Sequence, residues 1–249
     1  MYRASTSFIH IASPISTRLK RLVAWYGLDQ HMPSVDRAYN KVRQELQEVG
    51  LLADGVYLDS VELEVSMMPG LGTVGYVYDE GVGGLSKLCG FREAVIYLPA
   101  DIPGDSYVPG GTVLNTLRHE YAHAWYALDP EFFAKPWFKK AFGLEYSDYK
   151  TTPKELWQKK QKRNRTYQKR LNTCRNRRDR DALEARQIGN DFVSDYAATL
   201  AKEDFAETFM TYLKYRKSFE RFKSRPGVWK KLRAVEKAIG TASSRNLAV

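Results

Sequence analysis

Apolar positions between residues 113 and 128 recur three and four apart, with Val113, Leu114, Leu117, Tyr121, Ala124 and Trp125 forming a broad apolar surface over two or more turns. That spacing predicts a buried α-helix. Pro103, Pro109 and three glycines between positions 101 and 111 predict a loop leading in, Thr112 is the expected N-cap, and Pro130 closes the segment. Earlier, Tyr39, Val42, Leu46 and Val49 sit at helical spacing within 36–50, with Gly50 as the stop. Period-two patterns point to strands. Val61 to Val65 alternates apolar and acidic residues, Ala94 to Leu98 is a short apolar run ended by Pro99, and Thr73 to Tyr78 is a third candidate before Gly81, Gly83 and Gly84.

Strand signals first and helical signals afterwards predict an α+β class: a small sheet, backed by one amphipathic helix, and a mostly helical C-terminal half. At 249 residues the chain is long enough for one domain with a sizeable core. The expected organisation is a basic N-terminal segment over 1–30 and a single domain over 31–249, carrying a basic helical insertion at about 151–189.

The helix predicted at 113–128 carries His119-Glu120-Tyr121-Ala122-His123. Residues four apart on a helix project from nearly the same side, so His119 and His123 can hold one metal ion with Glu120 beside it. Two unrelated surface histidines are the bland alternative, and the apolar flanks argue against it. An open catalytic zinc site takes three protein ligands plus water. The other two histidines, His10 and His31, lie upstream, and the cysteines are Cys89 and Cys174 alone, which leaves a downstream carboxylate as the best candidate. The segment from Asp191 to Met210 reads as a loop entering a helix. With Phe205 at zero, Glu203 falls at about 160° and Glu207 at about 200°, on the edge of an arc formed by Phe205, Phe209, Leu213, Ala206 and Met210. Glu203 can then ligate the ion, and Glu207 can hydrogen-bond a ligand histidine and fix its tautomer. The competing view makes both acids solvated groups favoured by the helix dipole.

His119-Glu120-x-x-His123, followed by Ser194-x-Tyr196-Ala197-x-Thr199-x-x-x-Glu203-Asp204-Phe205-Ala206-Glu207-x-Phe209, resembles the gluzincin zinc metallopeptidases. The likeness is to those with a lethal-factor-like catalytic domain and to related zinc-binding metallopeptidases of bacteria. The resemblance implies a zincin-like domain, Zn²⁺ as cofactor, Glu203 as third ligand, and Tyr196 as an aid to catalysis. Thermolysin-type enzymes have Asn before the third ligand and Asp four residues after it, where this chain has Lys202 and Glu207. The implied activity is endopeptidase hydrolysis of a protein or peptide substrate, with Glu120 as general base. A phenol at Tyr196 would donate to the oxyanion that develops on the scissile carbonyl; an anchoring Tyr is the alternative.

Between Lys159 and Arg180 stand eleven Lys or Arg and one acid, Asp179, more positive charge than the chain's net +10. Pro153 suits a helix start and Gly189 a stop. The segment is either a solvated helix or helical hairpin, or an arm for a polyanion such as nucleic acid or for an anionic surface. Two further readings follow. One is a protease acting on nucleic-acid-bound proteins, in the manner of SprT-like enzymes, although those use a third His that this chain lacks after the motif. The other is a non-catalytic binding protein stapled by metal, which would have no need of Glu120. Arg3, Arg18, Lys20 and Arg21 precede the first acid, Asp29, but the apolar stretch from Phe8 to Ala12 is too short for a secretory signal. No span is long and apolar enough to cross a membrane, and two cysteines provide no disulfide framework. A cytoplasmic location, or export without such a signal, is expected.

Overall fold

The computed structural model describes residues 9–10, 32–52, 58, 61–66, 75–77, 95–99, 113–142 and 152–246. Among the described residues there are nine α-helices: α1 (Met32–Glu48), α2 (Val113–Leu128), α3 (Pro130–Phe133), α4 (Pro136–Phe142), α5 (Pro153–Arg163), α6 (Arg165–Thr173), α7 (Arg177–Asp191), α8 (Ala201–Tyr215) and α9 (Pro226–Asn246). The α+β expectation is thereby corrected: the described chain is overwhelmingly helical and all-α in character. The three period-two runs do form short strands. The paired segments Ile9–His10, Glu62–Ser66, Gly75–Val77 and Val95–Pro99 have 2, 5, 3 and 5 residues. Among described residues, Leu63 and Ile96 are the only core side chains on them; the helices supply most of the rest. The N-cap expected at Thr112 and most of the 1–30 segment lie outside the described residues.

The chain divides into two compact units, residues 1–130 with 239–249, and residues 131–238. In the first, α1 packs against α2. Val42, Leu46, Leu117, Tyr121 and Trp125 are fully buried there. Glu45 and Arg118, one from each helix, form a buried forked pair: Arg118 Nε donates to Glu45 Oε2 at 2.8 Å and Nη2 to Oε1 at 2.7 Å. The third arm of the fork, Nη1, donates to Asn115 Oδ1 at 2.7 Å. Gly50 ends α1 at φ 76°. Its N–H reaches Gln47 O at 2.9 Å, and that of Leu51 reaches Leu46 O at 2.9 Å. These two bonds satisfy carbonyls that the helix end would leave open.

In the second unit, Phe133, Phe138, Phe142 and Phe205 meet with ring centroids 4.8–5.8 Å apart, which packs α8 against α4. The basic segment forms three helices, α5 to α7, where the sequence suggested one helix or a hairpin. Asparagines make the breaks: the Asn164 side chain caps α6 and that of Asn176 caps α7. Pro153 does open α5, behind a Thr152–Glu155 capping box. Gly189 is no stop, since α7 continues to Asp191. Its end is held by Trp157 Nε1, which donates to Asp191 Oδ2 at 2.5 Å, and by Lys231 Nζ, which donates to Asp191 O at 2.8 Å.

Candidate metal centre

The helix α2 is buried around almost its whole circumference, as its low polarity requires. His119 and Glu120 are each 5% exposed, while His123 is half-buried. One turn apart on the same helix, the histidines aim their ring nitrogens together. His119 Nε2 and His123 Nε2 stand 3.1 Å apart, with centroids at 4.8 Å and the rings inclined at 74°. Two nitrogens bound at roughly 2.0–2.1 Å to one tetrahedral zinc are about 3.3 Å apart, so the pair fits a single ion. It equally fits a proton shared between the rings, and a direct zinc measurement separates the two cases. With a carboxylate such as Glu203 as the third donor, two imidazoles and one carboxylate make a set that suits zinc.

Glu203, Asp204 and Glu207 are all buried on α8, at 4%, 0% and 1% exposure. This disposes of the view that Glu203 and Glu207 are solvated N-terminal acids. It also widens the predicted arc: Met210 is only half-buried, whereas Asp204, on the far side of the wheel, is fully enclosed. Asp204 Oδ2 pairs with Lys231 Nζ at 2.5 Å. Burial pushes its carboxyl up to about 6, and Lys231 opposes that rise. Lys202 Nζ lies 3.8 Å from Glu203 Oε1, a loose contact for a half-buried lysine.

Glu207 Oε2 accepts a hydrogen bond from Ser194 Oγ at 2.7 Å. Ser194 Oγ in turn accepts the N–H of Ala197 at 3.1 Å. Between them, Tyr196 opens a single 3₁₀ turn, Tyr196–Ala198, that packs on α8. Its side chain is 47% exposed, the one large exposed hydrophobic side chain among the described residues. Sequence reasoning gave no role to Asp204, Ser194 or the Arg118–Glu45 pair. The available signals were an aspartate inside a strongly apolar helix, a serine three residues before a turn N–H, and an arginine directly preceding the motif on a buried helix.

The expected α8 positions of Glu203 and Glu207 and the α2 positions of His119, Glu120 and His123 are therefore all on helices, and Tyr196 is on a turn. Set against models of known protein families, against curated proteins and against solved structures, the chain matches none of them.

Proposed function

We propose that this protein is a zinc-dependent endopeptidase, with His119, His123 and Glu203 as metal ligands and Glu120 as the general base. The observation that carries the reading is the pair of imidazole nitrogens 3.1 Å apart on a helix that also buries Glu120. A bound zinc supplies Lewis acidity and brings the pKa of its water to roughly 7. Glu120, buried on α2, would serve as the base toward an activated water and as the acid toward the departing amine. His119 and His123 would hold the ion through neutral nitrogens, which would leave the other nitrogen of each ring as a donor. Tyr196 donates its phenol proton to the substrate's carbonyl oxygen as negative charge develops there, and Ser194 with Glu207 holds the turn from which it does so.

The test is bound zinc together with hydrolysis of a mixed peptide library, for wild type, Glu120→Gln and Glu203→Gln. Glu120→Gln is expected to retain zinc and lose at least 100-fold in kcat, whereas Glu203→Gln weakens zinc binding itself. Undiminished hydrolysis in all three proteins, or no zinc in wild type, removes the reading.

A second reading, that the substrate is a protein held on a polyanion, is favoured by one observation. Among the described residues, Arg177 is the only one of the eleven cations from 159 to 180 that meets a carboxylate, Asp181 at 3.8 Å, and both partners are largely exposed. A cavity of about 370 Å³ between α6 and α7 is lined by Arg170, Thr173, Arg186, Gln187 and Asn190, together with Cys174 and Leu183. Two guanidiniums beside hydroxyl and amide donors suit phosphate oxygens.

A further inference from the structure

We infer that Ser194 is a positioning residue for the proposed reaction: its hydroxyl, oriented by Glu207, fixes the turn that presents Tyr196 to the substrate. This rests on the peptidase reading and adds a residue to it. Ser194 Oγ is both donor and acceptor. It donates to Glu207 Oε2 at 2.7 Å and receives the Ala197 N–H at 3.1 Å, so a single hydroxyl joins α8 to the turn. The next hydroxyl along, Thr199 Oγ1, donates to Tyr196 O at 2.6 Å, and the Thr199 N–H reaches the same carbonyl at 3.0 Å. The backbone of residue 196 is thus held from both sides.

The other two residues of the turn are anchored differently. Ala197 and Ala198 are 0% and 3% exposed and pack in a cluster with Trp157, Ile188 and Phe192. Two of the three turn side chains are therefore buried and the third, a phenol, projects outward. A turn fixed this tightly confines a half-exposed aromatic to the few rotamers of one backbone position, which lowers the entropy cost of aiming a donor at a developing charge. Glu207 is the right partner for such a serine. A carboxylate accepts only, so it commits the Ser194 proton to itself and leaves the oxygen lone pairs for the Ala197 N–H. A carboxylate 1% exposed must in turn be satisfied by donors such as this one.

The test is a double-mutant cycle of Ser194→Ala and Tyr196→Phe, with Ser194→Thr as rescue and zinc content measured throughout. Tyr196→Phe is expected to lower kcat by about 100-fold. Ser194→Ala should lower kcat at least tenfold at unchanged KM and zinc content. It should have no further effect in the Tyr196→Phe background, and Ser194→Thr should restore most of the loss. Equal losses from Ser194→Ala in both backgrounds, or full activity of Ser194→Ala, overturn the inference. A second readout does not depend on turnover. With 3-fluorotyrosine at position 196, wild type and Ser194→Thr should give one displaced fluorine resonance, and Ser194→Ala a line relaxed toward the free-tyrosine position. Identical lines in all three also overturn the clamp. Absence of hydrolysis by zinc-loaded wild type removes the peptidase reading and with it the catalytic purpose of the turn, while the fluorine lines still decide whether Ser194 holds Tyr196.

Discussion

Arg118 ties the helix that carries the histidine pair to α1. It precedes His119, is 6% exposed, and spends three donors on Glu45 and Asn115. A buried pair of this kind adds little over a well-packed apolar pair, yet breaking it from one side strands a charge. Glu45→Ala is therefore expected to lower unfolding stability by about 3–5 kcal/mol, read from urea denaturation of the zinc-free protein. A loss under 1 kcal/mol would mean that solvent reaches Arg118 after all. The same logic explains why Glu45 escaped sequence reasoning. It stands between the apolar positions of α1, and nothing local distinguishes a glutamate facing solvent from one facing an arginine 73 residues away. Chemistry that depends on spacing within one helix, as in His119-Glu120-x-x-His123, was legible, because 3.6 residues per turn fixes it locally. Pairings over long separations, such as Asp204 with Lys231, were not.

At the scale of elements, the helices were legible wherever a cap or a stop sits beside a periodic run. Gly50 illustrates this. Its φ of 76° and the two carbonyl-satisfying bonds at the end of α1 follow from a glycine placed just beyond the last apolar position. The surroundings make the site stricter than the sequence could say, since Ser243 Oγ donates to Val49 O at 3.0 Å and Gly50 O at 3.1 Å. A Cβ at position 50 would meet that oxygen at 2.6 Å. Gly50→Ala is expected to cost about 1–2 kcal/mol for the left-handed backbone, plus the displacement of Ser243. Ser243→Ala in the same background should recover the steric part, and a thermal melt of the three variants checks both. The three expected strands are present, at Glu62–Ser66, Gly75–Val77 and Val95–Pro99, but they did not make the class. Alternation over five residues carries little burial of its own, so whether it becomes a layer depends on partners distant in sequence. The α+β expectation over-weighted such runs. In the basic segment the error was smaller: the charge pattern gave helices, but Asn164 and Asn176 were not read as the caps that cut one helix into three.

For the molecule as a whole, charge is the property that composition sets and structure redistributes. The net +10 is concentrated in α5 to α7, whose cations are almost all unpaired among the described residues. Packing rests on other residues of these helices, since Trp157, Ile188 and the partly buried Tyr167 make the apolar contacts. Mutual repulsion among eleven like charges must be offset by counterions or by an anionic partner, and each phosphate that displaces a counterion steepens the dependence of affinity on salt. Arg170 and Arg186 are the pair that the fold brings to one cavity, although 16 positions separate them in sequence. If both meet phosphates, replacing them by glutamine should lower the slope of log K against log salt for duplex DNA by about 1.8, at roughly 0.9 per contact. The same double variant should leave peptide hydrolysis unaltered in the absence of polyanion, because neither arginine belongs to the proposed metal site. A slope that does not move, with binding still present, would place the anion elsewhere on the three helices. Wild-type affinity that ignores salt altogether would leave the arm's charge with solvation as its only role.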